Sequence, residues 1–203
     1  MKSRKEHWEQ VYSTKQPHEV SWTQDRPNLS LDFIHSFNIS RRASIIDVGG
    51  GDSRLVDFLL DEGYENITVL DISERALERA RARLGSRAQN VRWITSDILD
   101  FEPTQTYDCW HDRATFHFLK SSEERTKYVA HANASGASFL AIATFSETGP
   151  QKCSGLEVQQ YSEDDLVMQF ASGFRRLKCI SEMHTTPFGT QQNFTFCAFE
   201  RLK

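Results

Sequence analysis

No stretch of this 203-residue sequence approaches the roughly 18 consecutive apolar residues of a membrane-crossing helix, so no membrane span is expected. No apolar run follows the charged opening around Lys2, Arg4 and Lys5, so a secretory leader is not expected either. Cysteine is scarce. Cys109, Cys153, Cys179 and Cys197 stand far apart, with no CxxC spacing, which argues against a zinc site or a redox dithiol. No metal is expected, and the scatter suits reduced thiols in the cytoplasm. Positive charge is not in surplus: 24 Lys and Arg face 28 Asp and Glu, for a net charge of −4. A nucleic-acid-binding domain is usually more basic, so nucleic acid is a disfavoured substrate. The densest arginines, at residues 75–87, have Glu74 and Glu78 among or beside them and read as a solvated helix face. Repeats and low-complexity tracts are absent.

What is present is an ordinary globular composition, 38% hydrophobic and 26% charged, enough to build a core without staples. Residues 4–12 suit a short helix, Pro17 and Pro27 mark loops, and residues 29–37 carry a helical apolar stripe. From residue 43 the texture alternates. Apolar runs at 43–48, 67–71, 91–95, 107–111 and 138–145 read as buried parallel strands. Helical spacing fills 53–61, 73–84, 123–132 and 163–170, with Ser73 and Ser162 as caps. The end differs: 174–183 and 193–201 are strand-like runs joined through Pro187-Phe188-Gly189 with no helix between, so they pair antiparallel. The expected fold is α/β, a mostly parallel sheet with helices on both faces and a closing antiparallel hairpin.

In such a sheet, ligands bind beyond the carboxyl ends of the strands. The first strand ends in Asp47-Val48-Gly49-Gly50-Gly51-Asp52-Ser53. Glycines there let backbone approach a ligand and adopt positive φ, although a tight strand-to-helix turn alone also uses them. Asp71 ends the second strand, where a carboxylate can accept the two hydroxyls of a ribose; its plainer role is to cap the next helix. Asp97 follows the third strand, placed to accept from an adenine amino group or to serve as an ordinary loop acid. The three strand ends together are more specific than any one of them. The dinucleotide fingerprint needs a glycine at position 54, where this sequence has Arg54, which disfavours a nicotinamide dehydrogenase.

On these residues the sequence resembles the class I, seven-stranded S-adenosylmethionine-dependent methyltransferases over roughly residues 40–203. The acid-x-Gly-x-Gly pattern is met by Asp47, Gly49 and Gly51, with Ser53 in place of the family's third glycine. The resemblance implies a Rossmann-like, doubly wound, mostly parallel seven-stranded sheet with a C-terminal antiparallel hairpin. It implies one domain over 1–203, with 1–40 as a helical cap and 41–203 as the core. It implies S-adenosyl-L-methionine as cofactor, held by Asp47, Gly49, Gly50, Gly51, Asp71, Ile72, Asp97 and Ile98.

The stretch after the fourth strand, Asp112-Arg113-Ala114-Thr115-Phe116-His117, is similar to the Asp-Lys-Gly-Thr-Phe/Leu-Asp segment of the small methyltransferase-like lysine methyltransferases. Ala114 replaces the glycine and His117 the last acid, departures that put a lysine acceptor in doubt. Trp8, Tyr12 and Trp22 also match that group, in which this segment covers the cofactor. An activated sulfonium methyl needs mainly a positioned nucleophile, plus a base if that nucleophile must lose a proton. His111 and His117 are candidate bases, with Asp112 orienting one of them or a substrate cation. Their plainer reading is a cap and core packing. Trp22, Phe145 and Tyr161 are candidates to line the acceptor pocket, and Cys153 lies on a loop that reads as a lid. The expected partner is a small-molecule or protein acceptor; a non-catalytic cofactor-binding module is the alternative.

Overall fold

The computed structural model describes residues 2–203. Helix α1 (Arg4–Thr14) opens on a capping box in which Ser3 and Glu6 exchange side-chain and backbone hydrogen bonds. Helix α2 (Asn28–Ser36) follows Pro27 and buries Ser30, Leu31, Phe33 and Ile34. Strand β1 (Ser44–Val48), helix α3 (Leu55–Asp61), strand β2 (Asn66–Asp71), helix α4 (Glu74–Leu84) and strand β3 (Val91–Thr95) then alternate. Ser73 caps α4 through the Ala76 amide, and Gly85, at φ 59°, closes it. Strand β4 (Cys109–Arg113), helix α5 (Ser122–Ala134) and strand β5 (Phe139–Phe145) continue the pattern. A two-residue ribbon, β6 (Lys152–Cys153) with β7 (Leu156–Glu157), precedes α6 (Glu163–Phe170), and the hairpin β8 (Phe174–Thr185) and β9 (Gln191–Arg201) ends the chain.

The sheet has seven strands in the order β3-β2-β1-β4-β5-β9-β8. The first five are parallel, and β9 enters antiparallel between β5 and β8. Strand order reverses between β1 and β4, so the crevice expected of this topology opens over the ends of those two strands. One buried cluster packs α2 and α3 against one sheet face through Phe33, Leu59 and Phe196. Another packs α5 and α6 against the other face through Trp110, Tyr128 and Phe170.

Two sequence expectations shift. The fourth strand lies two residues later than read, because the Tyr107 amide bonds the Ser135 carbonyl outside the ladder and pairing with β1 starts at Cys109. His111, Asp112 and Arg113 are therefore strand residues whose side chains alternate between the faces. The thiols are not all reduced. Cys179 and Cys197 are opposed in the β8–β9 ladder and joined as a disulfide, while Cys109 and Cys153 are free and buried. The scatter of cysteines along the chain concealed a pairing that only the hairpin register creates.

Candidate cofactor and acceptor site

A single cavity lies over the switch point. Its floor is the glycine turn, its walls the ends of β2, β3 and β4, and its roof α1 with residues 22–24. Asp47, Gly49, Gly50, Asp71, Ile72, Asp97 and Ile98 all line it.

The three glycines of the turn are needed for different neighbours. Gly49 and Gly51 hold φ 65° and 51°, which L side chains rarely adopt. A Cβ on Gly49 would fall 1.7 Å from Thr115 Oγ1, one on Gly50 2.6 Å from Asp47 Oδ2, and one on Gly51 2.5 Å from Tyr12 Oη. The turn is anchored by the Leu70 carbonyl, which accepts from the amides of Gly49 and Gly50 at 2.7 and 3.1 Å.

The floor is acidic. Asp47, Asp52 and Asp71 are all buried, and the Arg79 guanidinium at 3.5 Å from Asp52 is a cation within reach. Burial pushes the Asp71 carboxyl up to about 7, Asp52 and Asp47 add to the rise, and the Ser73 and Gly51 amides oppose it. Burial also raises Asp52, against the pull of Arg79 and Arg83. A carboxylate cluster that is costly to ionise favours a ligand bringing positive charge and hydroxyl donors. Asp97 stands at the other end, its Oδ1 accepting from the Leu99 amide and its Oδ2 3.7 Å from Arg4 Nη1.

Helix α1 closes over this floor. Arg4 pairs with Glu124, Glu9 Oε1 accepts from the Glu74 amide at 2.7 Å, and Arg79 Nη2 donates to the Lys15 carbonyl at 2.7 Å. Trp8 meets both Trp22 and Phe118 edge to face. Burial, with Asp71 and Asp52 nearby, raises the Tyr12 phenol well above its ordinary value, so it is neutral where it covers Gly51.

The residues marked for chemistry separate. His111 lines the cavity: its Nδ1 lies 2.7 Å from Asp47 Oδ1 and its Nε2 2.9 Å from Ser30 Oγ. With Nδ1–H donated to the carboxylate, Nε2 accepts from the serine hydroxyl. Asp112 points to the opposite face and is not in the cavity wall. It accepts from Tyr128 Oη at 2.6 Å and from the amides of Thr115 and Phe116 at 2.8 and 3.1 Å. Burial lifts its carboxyl to about 6 despite those donors. His117 is fully buried against Phe118 and Phe145, and its Nδ1 accepts from the Phe145 amide at 3.2 Å. Burial and Arg113 depress it to about 3, so it is neutral. Of the pocket candidates, Trp22 lines the cavity, whereas Phe145 and Tyr161 are buried outside it. Sequence reasoning missed Ser30; its signal is a hydroxyl set among Leu29, Leu31, Phe33 and Ile34 on the apolar stripe of α2.

Comparison with known proteins agrees with this geometry. A family model described as a methyltransferase domain matches residues 45–135. The mouse eEF1A lysine and N-terminal methyltransferase is 27% identical over 120 residues, 59% of this chain and 17% of that protein. Malonyl-[acyl-carrier protein] O-methyltransferase of Anoxybacillus flavithermus is 29% identical over 126 residues, 59% of this chain and 48% of that protein. The chain thus spans less than half the length of these curated relatives. A solved S-adenosylmethionine-dependent methyltransferase from Anabaena variabilis superposes with a TM-score of 0.76 at 14% identity, covering 100% of this chain and 96% of its own, which is a likeness of fold. The turn at Asp47 to Gly51 and the acids Asp71 and Asp97 all fall inside residues 45–135, the part of the chain that matches the methyltransferase-domain family, and the strand order sets them along one crevice.

Proposed function

We propose that the chain moves the methyl group of S-adenosylmethionine onto an enclosed small-molecule acceptor, with His111 receiving the acceptor's proton. The observation that carries this reading is the continuity of one cavity from Asp71 and Asp97, through the glycine turn, to Ser30 and His111. Asp71 would hold the ribose hydroxyls, Asp97 and Ile98 the adenine, and the Asp47–Asp52 floor the cationic end of the cofactor. The bound sulfonium supplies an activated methyl group. The chain's own residues then have two tasks, to align the nucleophile and to take its proton.

For the second task, Asp47 fixes the His111 tautomer and stabilises the imidazolium formed. Ser30 stands between Nε2 and the cavity, so a proton given to its oxygen is matched by its own proton passing to Nε2. Asp112 and His117 we assign to holding the β4 end in register, through Tyr128 and Phe145. We read 1–203 as one working unit, with 1–40 as its cap. The roof that α1 and residues 22–24 form over part of the cavity favours a small molecule over a folded protein, although one curated relative is named for a protein lysine and another for an acyl-carrier protein. Cytoplasmic residence is our reading from the free thiols Cys109 and Cys153, and the Cys179–Cys197 disulfide is the feature that opposes it. Alkylation before lysis, read by mass spectrometry, tests it: a fully oxidised Cys179–Cys197 pair in the cell would contradict it.

The test of function is calorimetric titration with S-adenosylhomocysteine, followed by transfer of tritiated methyl into a cell extract. Binding is expected, and so is labelled metabolite. His111→Gln should lower transfer by about 100-fold or more while leaving cofactor affinity within about twofold. Binding with no labelled product from wild type would favour the non-catalytic module instead.

A further inference from the structure

The acceptor side of the cavity contains a cation with no acid in direct contact. Arg113 ends β4 and lines the cavity beside Trp22, Gln24 and Cys153. Its Nη1 donates to the Trp22 carbonyl at 3.1 Å, and its guanidinium lies over the Phe194 ring, 4.7 Å from the centroid. Nε and Nη2 are shielded from solvent and have no hydrogen-bond partner among the described residues. The other guanidinium lining the cavity, that of Arg4, has the acids Asp97 and Glu124. No carboxylate comes within 4.0 Å of Arg113 among the described residues; Glu182 favours its charge from farther away, with Oε1 accepting from Gln24 Nε2 at 3.5 Å and Oε2 buried without a hydrogen-bond partner. His184, close enough for Arg113 to act on it, is bonded to the Ser21 carbonyl at 2.6 Å and depressed by burial, so it is neutral and adds no second positive charge.

A shielded charge with two idle donors is unfavourable unless something pairs with it. The idle pair is the Nε–Nη2 edge of the guanidinium, whose parallel N–H bonds match the two oxygens of a carboxylate. We propose that Arg113 is the acceptor-recognition residue and that the methyl acceptor is a small molecule bearing a carboxylate. This inference rests on the methyltransferase reading above. It also matches the charges of the site: an anionic acceptor is drawn toward a cationic cofactor end, and Arg113 holds its acid group away from Asp47 and Asp71.

A carboxylate also occurs on the cofactor's own methionine end, so the experiment must separate the two sources. The probes are S-adenosylhomocysteine, measured by calorimetry, and a small-molecule extract of host cells divided on an anion exchanger. Tritiated methyl transfer is then assayed in each fraction. Acceptor activity is expected in the retained, anionic fraction. Arg113→Gln keeps a donor for the Trp22 carbonyl and should lower transfer at limiting acceptor by roughly thirtyfold or more, with homocysteine-cofactor affinity within about twofold. Arg113→Lys, which keeps charge but not the paired edge, should fall between. Acceptor activity confined to the unretained fraction, or to protein, overturns the proposal. So does a loss of cofactor affinity in Arg113→Gln equal to the loss of transfer, which would assign the residue to the cofactor's carboxylate. Wild type that binds no S-adenosylhomocysteine would instead sink the methyltransferase reading itself, a result independent of Arg113. A thermal melt of each variant distinguishes lost recognition from lost folding.

Discussion

Replacing Asp71 by Asn should make the empty protein more stable and nearly unable to hold its cofactor. The carboxyl is buried, and burial with two neighbouring acids lifts it to about 7 from an ordinary 3.8. The sign follows from which state holds the proton. Between about 4 and 7 the folded chain binds a proton that the unfolded chain has released, so stability falls as pH rises through that window. Above 7 the cost is complete, and a rise of about three units corresponds to something on the order of 4 kcal/mol. Asn keeps an oxygen for the Ser73 amide, now at 2.8 Å from Oδ1, but carries no charge. Thermal unfolding at pH 8 should therefore show Asp71→Asn above wild type, and the two should converge near pH 4. Cofactor binding moves the other way. If only the ionised carboxylate accepts the ribose hydroxyls, about a tenth of the sites are competent at pH 6 and about nine-tenths at pH 8. Wild-type affinity for S-adenosylhomocysteine should then rise about tenfold from pH 6 to pH 8, while Asp71→Asn is weak throughout. A wild-type affinity that is flat from pH 6 to 8, or an Asn variant that binds as well as wild type, refutes the reasoning.

Three further outcomes are expected. Gly51→Ala forces a Cβ to within 2.5 Å of Tyr12 Oη at a φ of 51°, so calorimetry should find cofactor binding lost and melting should find a destabilisation of about 1–3 kcal/mol. Tyr128→Phe removes the 2.6 Å donor from Asp112, whose carboxyl already stands near 6; a loss of about 1–3 kcal/mol is expected at pH 8, shrinking as pH falls toward 4. Opening the Cys179–Cys197 disulfide with reductant, which frees a loop of sequence separation 18, should lower stability by about 3 kcal/mol, and Cys197→Ser should abolish that sensitivity.

The parallel half of the sheet was legible because each strand is a short apolar run ending in a loop signal, and the cofactor acids sit at those ends. The terminal hairpin was legible because no helical spacing separates its strands. What stayed hidden depends on register. Because β4 runs on to Arg113, His111 and Asp112 are adjacent strand residues on opposite faces, His111 toward Asp47 and α2 and Asp112 toward Tyr128, which a strand ending at 111 left undecided. Ser30 and Cys197 acquire their partners from residues 81 and 18 positions away, His111 and Cys179. Arg113 looked like one charge in a polar stretch; only the fold reveals that its neighbours leave two of its donors idle.

The glycine turn has an evolutionary consequence. Because Thr115 occupies the space beside Gly49 and Tyr12 the space beside Gly51, each glycine is matched to a residue on a different segment. The cap helix and the loop after β4 are therefore not free to diverge separately from the turn. In a lineage descended from this chain, a smaller residue at 12 or at 115 would relax the constraint on its glycine, and a side chain at 49 or 51 would demand a change at its counterpart. Substitutions at 12 and 51, and at 49 and 115, are expected to be inherited in pairs.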